Sequence, residues 1–87
     1  MMADKDTVCR LLKTARGQLD GVMNMVEEDR YCIDICNQIL AAQSILSKVN
    51  KEIMTAHMEH CVAQAMTETE RSEKIDEVVA LMGKMMK

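Results

Sequence analysis

Proline, tryptophan and phenylalanine are absent from this chain, and Tyr31 is its only aromatic residue. A β-sandwich has little to be built from. No apolar run is long enough to cross a bilayer, and the N-terminal residues include no hydrophobic signal segment. The expectation is a cytoplasmic protein with no membrane partner. An excess of positive charge is missing too: the net charge is −3. Any contact with nucleic acid must therefore come from a local basic patch. Nor is there an internal repeat, a low-complexity linker or an interior boundary, so residues 1–87 read as a single domain.

What is present is aliphatic. Hydrophobic residues make up 48% of the 87 positions, 10 of them methionine. That is too apolar for a disordered chain and suits interdigitating helices. In the first segment Val8, Leu11, Leu12, Ala15, Leu19, Val22, Met23 and Val26 recur at three- and four-residue steps. Gly17 and Gly21 lie within it, and glycine costs about 1 kcal/mol in a helix interior. The pair points to close approach by another backbone. Glu27-Glu28-Asp29 reads as the end of that helix, with Asp29 as N-cap of the next.

The second segment runs from Tyr31 to Ala65 without a breaker, with an apolar stripe of Ile35, Ile39, Ala42, Leu46, Val49 and Ile53. Thr67 and Glu70 have capping-box spacing. A third helix then carries Ile75, Val78, Val79 and Met82 as far as Gly83. The fold class is all-α, a three-helix protomer with a long central helix.

The chemistry lies in four cysteines and two histidines. In a reducing compartment such thiols are metal ligands or redox groups more often than disulfides. "AHMEHC", residues 56–61, places His57 and Cys61 four apart, on one helix face. The nearest upstream donors, Cys32 and Cys36, stand more than twenty residues away. A helix of about 35 residues is roughly 52 Å long, while a compact chain of this size has a radius of gyration of about 12 Å. The central helix thus overhangs its own protomer. Cys32 and His57 cannot meet within one continuous rod. Antiparallel pairing with a second copy, about an axis near Ile45 and Leu46, brings Cys32 of one chain to His57 and Cys61 of the other. Two thiolates and an imidazole suit zinc or copper(I). The competing reading makes Cys32 and Cys61 small buried hydrophobes and His57 a polar rim residue.

The stretch "ARGQLDGVMNMVEEDRYCIDICNQILAAQSILSKVNKEIMTAHMEHCV", residues 15–62, resembles the copper-sensing operon repressor (CsoR) family. The likeness rests on Gly17-Gln18, Gly21, "EEDRYC", "NQILAAQ" and the spacing of Cys32, His57 and Cys61. It implies an antiparallel dimer, a dimer-of-dimers tetramer, and a repressor that releases operator double-stranded DNA when Cu(I) binds. By the same resemblance Cys32, with His57 and Cys61 of the partner subunit, would hold the copper. Tyr31 and Glu77 match positions around the ligating histidine, where an acceptor for its free N–H fixes the ring. Lys48 matches a basic position used for DNA. Arg10, Lys13 and Arg16 form a basic cluster at helical spacing, which without the resemblance would read as a solvated face. The chain departs from the family at Leu11, where an arginine is usual, with Arg10 beside it.

Other readings remain beside this one. A persulfide-responsive repressor of the same fold needs the two cysteines without His57. A helical copper storage or delivery protein would use the thiols without the basic cluster. "CIDIC" lacks the C-x-x-C spacing of a thiol oxidoreductase, and no nucleophile–base–orienter set is present, so no enzyme is expected. Cys9, Cys36 and His60 have no assigned role.

Overall fold

The structure is a computed structural model that describes residues 1–62, 64 and 67–86, with the side chains of Cys61 and Val62 outside that description. It contains three α-helices in chain order: α1 (Lys5–Glu27), α2 (Cys32–His57) and α3 (Glu68–Met85). A π-helical turn, Met58–Val62, follows α2 directly. No strand occurs among the described residues.

Two compact units make up the chain: residues 4–50, and residues 51–87 together with 1–3. The first has a core of small side chains. Val8, Ala15 and Val22 of α1 are buried at steps of seven, as are Ala42 and Val49 of α2. Seven-residue spacing is the signature of helices packed along a narrow seam. Valine and alanine on that seam let helices lie close, in keeping with the aliphatic composition. In the second unit Val78 is the buried apolar residue of α3, and α3 packs against the π turn.

The helix ends show why the chain breaks where it does. Asp4 caps α1: its carboxylate accepts the Thr7 N–H at 3.2 Å and also the Thr7 hydroxyl. The Thr7 hydroxyl and amide together hold the Asp4 carboxyl below its ordinary 3.8. The helix therefore begins at Lys5, a turn before the first periodic apolar residue. At its other end Asp29 adopts φ 53°, the only positive φ among the described non-glycine residues. Its N–H donates to the Val26 carbonyl at 3.1 Å, and the Arg30 N–H donates to Met25 at 3.0 Å. This is a Schellman closure with aspartate in the left-handed position that glycine usually takes.

Asp29 thus ends α1 and does not cap α2, contrary to the sequence expectation. A side-chain cap and a left-handed C-terminal residue draw on the same residue types, and backbone conformation separates them. The first intrahelical acceptor of α2 is the Tyr31 carbonyl, which takes the Ile35 N–H at 3.2 Å.

Two other boundaries differ from expectation. The α-helix ends at His57, so α2 has 26 residues and is roughly 39 Å long, not 52 Å. The expected limit at Ala65 lies outside the described residues. Gly83 does not end α3; it sits inside the last turn, which closes when the Met86 N–H donates to Met82 at 3.1 Å. Thr67 does cap α3, accepting the Glu70 N–H at 3.0 Å. At Gly17 and Gly21 an added Cβ would meet nothing within 4 Å. The close approach expected there is not made by this chain's own atoms.

Candidate metal centre and basic face

Tyr31 and Cys32 are positioned by the turn that Asp29 makes. Tyr31 is 68% exposed just before α2, and Cys32 is the first residue of that helix and exposed. Cys36 follows one turn later, also exposed. At the opposite end His57 is the last α-helical residue and half-buried. Over 25 helical residues the rise is roughly 37 Å.

Cys61 stands on the π turn, four residues after His57, and its side chain lies outside the described residues. His60 is exposed on the same turn. A π turn closes over five residues where an α turn closes over four. The position four after His57 therefore stays near its face, while the position three after is carried further round. Cys61, which the sequence pairs with His57, is that fourth position, and His60 is the third. Glu77 is exposed on α3, next to buried Val78.

Among the described residues no group of three or more His, Cys, Asp or Glu side chains could hold a metal ion. A single chain presents its soft donors in separate places. Cys32 is exposed at the N-terminus of α2, and the imidazole of His57 is half-buried at its other end. Thiolates and an imidazole are donors of the kind that suit a soft ion.

Arg10, Lys13 and Arg16 are exposed on α1, and Lys48 is exposed on α2. Lys13 and Arg16 line a cavity of about 290 Å³ together with Cys9 and Leu12. Arg10 is not among its lining residues; its carbonyl accepts the Thr14 hydroxyl at 3.1 Å. Cys9, to which the sequence assigns no role, is exposed on α1 beside Lys13 and Arg16. No described helix is long and apolar enough to cross a membrane.

Comparison with known proteins identifies relatives of the chain and of its fold. Residues 4–84 match the family model described as metal-sensitive transcriptional repressor. The chain is 38% identical over 84 residues to the copper-sensing transcriptional repressor CsoR of Bacillus subtilis, covering 97% of this chain and 83% of that one. It is 41% identical over 68 residues to the CsoR of Mycobacterium ulcerans, covering 78% of this chain and 58% of the relative. Among solved structures, the copper-sensing repressor CsoR with Cu(I) from Geobacillus thermodenitrificans superposes with a TM-score of 0.82 at 36% identity, covering 94% of this chain and 85% of that one. The nickel-responsive regulator InrS shares the fold, with a TM-score of 0.78 at 24% identity over 98% of this chain and 96% of its own.

Proposed function

The chain belongs to the metal-sensitive transcriptional repressor family, and on that premise we propose that it is a cytoplasmic copper(I)-responsive repressor. Residues 1–87 act as one metal-sensing, DNA-binding domain. The metal-free protein holds operator double-stranded DNA, and Cu(I) binding releases it. The observation that carries this reading is the placement of the donors: an exposed Cys32 at one end of α2 and His57 at the other, with Cys61 just beyond. Antiparallel pairing of two such helices makes two sites from half-sets. Cys32 of one chain joins His57 and Cys61 of its partner. Two thiolates and one imidazole make a soft, low-coordinate set that suits copper(I) better than nickel.

The surface supports that pairing. Ile39 and Leu46 are 39% and 41% exposed and lie seven apart on α2. They form a second apolar seam beside the buried Ala42 and Val49. Among the described residues no large side chain is fully buried, so the chain keeps apolar surface that a second copy can cover. Pairs of such dimers make the tetramer.

Tyr31 and Glu77 serve as acceptors for the free ring N–H of His57, which would fix the imidazole and tie α3 to the site. Arg10, Lys13, Arg16 and Lys48 contact DNA phosphates. Copper and DNA oppose each other by a coupling free energy that is reciprocal. A coupling of about 3 kcal/mol changes operator affinity roughly 150-fold.

The test is anaerobic fluorescence anisotropy of the reduced protein on labelled DNA from upstream of its own gene, titrated with Cu(I). Binding followed by release at about one copper per protomer is expected. DNA binding that copper leaves unchanged refutes copper as the inducer. Absence of DNA binding refutes the repressor.

A further inference from the structure

Cys36 has no part in the three-donor set, yet it is exposed, as is Cys32, and lies one helical turn further along the same face of α2. Side chains four apart on a helix have Cβ atoms about 5–6 Å apart. A disulfide needs a Cβ separation of about 3.5–4.5 Å, so a direct bond does not fit the intact helix. Two metal–sulfur bonds of about 2.3 Å placed in line span roughly 4.6 Å. That span fits between two thiolates whose Cβ atoms stand at the helical spacing.

We infer that Cys32 and Cys36 of one chain form a second site, a bis-thiolate clip for a linear two-coordinate soft ion, which receives Cu(I) before the intersubunit set closes. The inference rests on the copper reading above and adds a residue and a step to it. Loading is ligand exchange: two thiols lose their protons, the donor chelator gives up Cu(I), and no electron moves. Cys32 belongs to both sets. Cys36 is therefore the ligand that leaves when His57 and Cys61 of the partner subunit arrive. Copper held by two exposed sulfurs can be reached by an incoming ligand, whereas the half-buried His57 is a poor first contact.

The experiment uses the full-length chain carrying His57→Ala and Cys61→Ala, which removes the partner's contribution. Cu(I) is titrated anaerobically against a chromophoric Cu(I) chelator, with X-ray absorption reporting the coordination. The expected result is one copper per chain in a two-sulfur environment. Adding Cys36→Ser, or Cys36→Ala in a separate chain, lowers that affinity by more than about 100-fold, since even outer contacts to a metal ligand are worth 10–100-fold. Circular dichroism of each variant reports whether the helices persist, and the two replacements guard against a local fault of either one.

Unchanged affinity on removing Cys36 overturns the inference, as does one copper per two chains, which means a bridge between Cys32 residues. Wild-type protein is run beside these on DNA. If copper fails to release the wild type, the parent reading is at fault. If release is intact while Cys36 proves silent, the clip alone is refuted.

Discussion

Replacing Asp29 by glycine tests the corner that sets Cys32 at the head of α2. Asp29 holds φ 53°, a conformation that costs an L-residue roughly 1–2 kcal/mol, with aspartate toward the lower end because its short side chain tolerates it. Glycine removes that strain. It also loosens the unfolded chain, a loss of about 0.4–1 kcal/mol. The net gain for Asp29→Gly is then about 0.5 kcal/mol, or a rise in Tm of roughly 2–4 °C for a domain of this length. The two hydrogen bonds that close the turn, from the Asp29 and Arg30 amides, are backbone bonds and survive the change. The Arg30–Glu28 ion pair beside it, 3.8 Å apart and well exposed, contributes little either way.

The assay is urea unfolding of the reduced, copper-free protein followed by far-ultraviolet circular dichroism. Protein concentration is held fixed, because stability of an associating chain depends on it. A higher midpoint with an unchanged slope is expected. A valine at the same position must go the other way, since a β-branched residue at positive φ is strained. Asp29→Gly that is neutral or destabilising, with Asp29→Val no worse, would refute the left-handed closure.

Other outcomes follow from single residues. Thr67→Ala removes the cap on α3 and costs about 1 kcal/mol, with Thr67→Ser close to wild type; equal urea midpoints for the two would dismiss the cap. The Asp4 carboxyl is held below 3.8, so its contribution is complete above the unfolded value and is lost as pH falls through the folded one. An NMR titration of the Thr7 amide should show its midpoint below about 3.8, and a midpoint at or above the ordinary carboxylate value counts against the cap. His57→Ala keeps copper through the two thiolates but loses copper-driven release of DNA; unchanged release takes the imidazole out of the switch. Gly17→Ala should weaken self-association in sedimentation experiments, if a second chain packs into the open space at Gly17 as the sequence spacing predicts. An undiminished dimer with higher stability, from the roughly 1 kcal/mol alanine gains in a helix, would refute that approach.

Much of the fold was legible because apolar periodicity and one cap were strong. Val8, Ala15, Val22, Ala42, Val49 and Val78 all lie on the stripes read from spacing, and the Thr67 cap follows from its distance to Glu70. The end of α1 was harder, since aspartate in a left-handed position looks in sequence like an N-cap. The π turn left no trace: "MEHCV" has ordinary helix formers, and the widening is a matter of backbone hydrogen bonding. For the site, residue types and spacing named Cys32 and His57, and the continuous helix explained why one chain cannot join them. Lys13 and Arg16 were legible as part of the basic cluster, whereas the hollow they share with Cys9 and Leu12 was not, because neither of those two is charged.

The π turn after His57 has a consequence for register. Its bonds span five residues where α2 spans four, so it accommodates one residue more than the regular spiral would. Each residue of an α-helix turns the chain by about 100°. Deleting one residue among Met58–His60 would let the spiral run on as a regular α-helix, and the present position 61 would become the third after His57. Three steps of about 100° leave it roughly 60° short of a full turn from His57. The surplus residue is a spacer, and losing a single codon there takes up the slack of the turn without shortening α2.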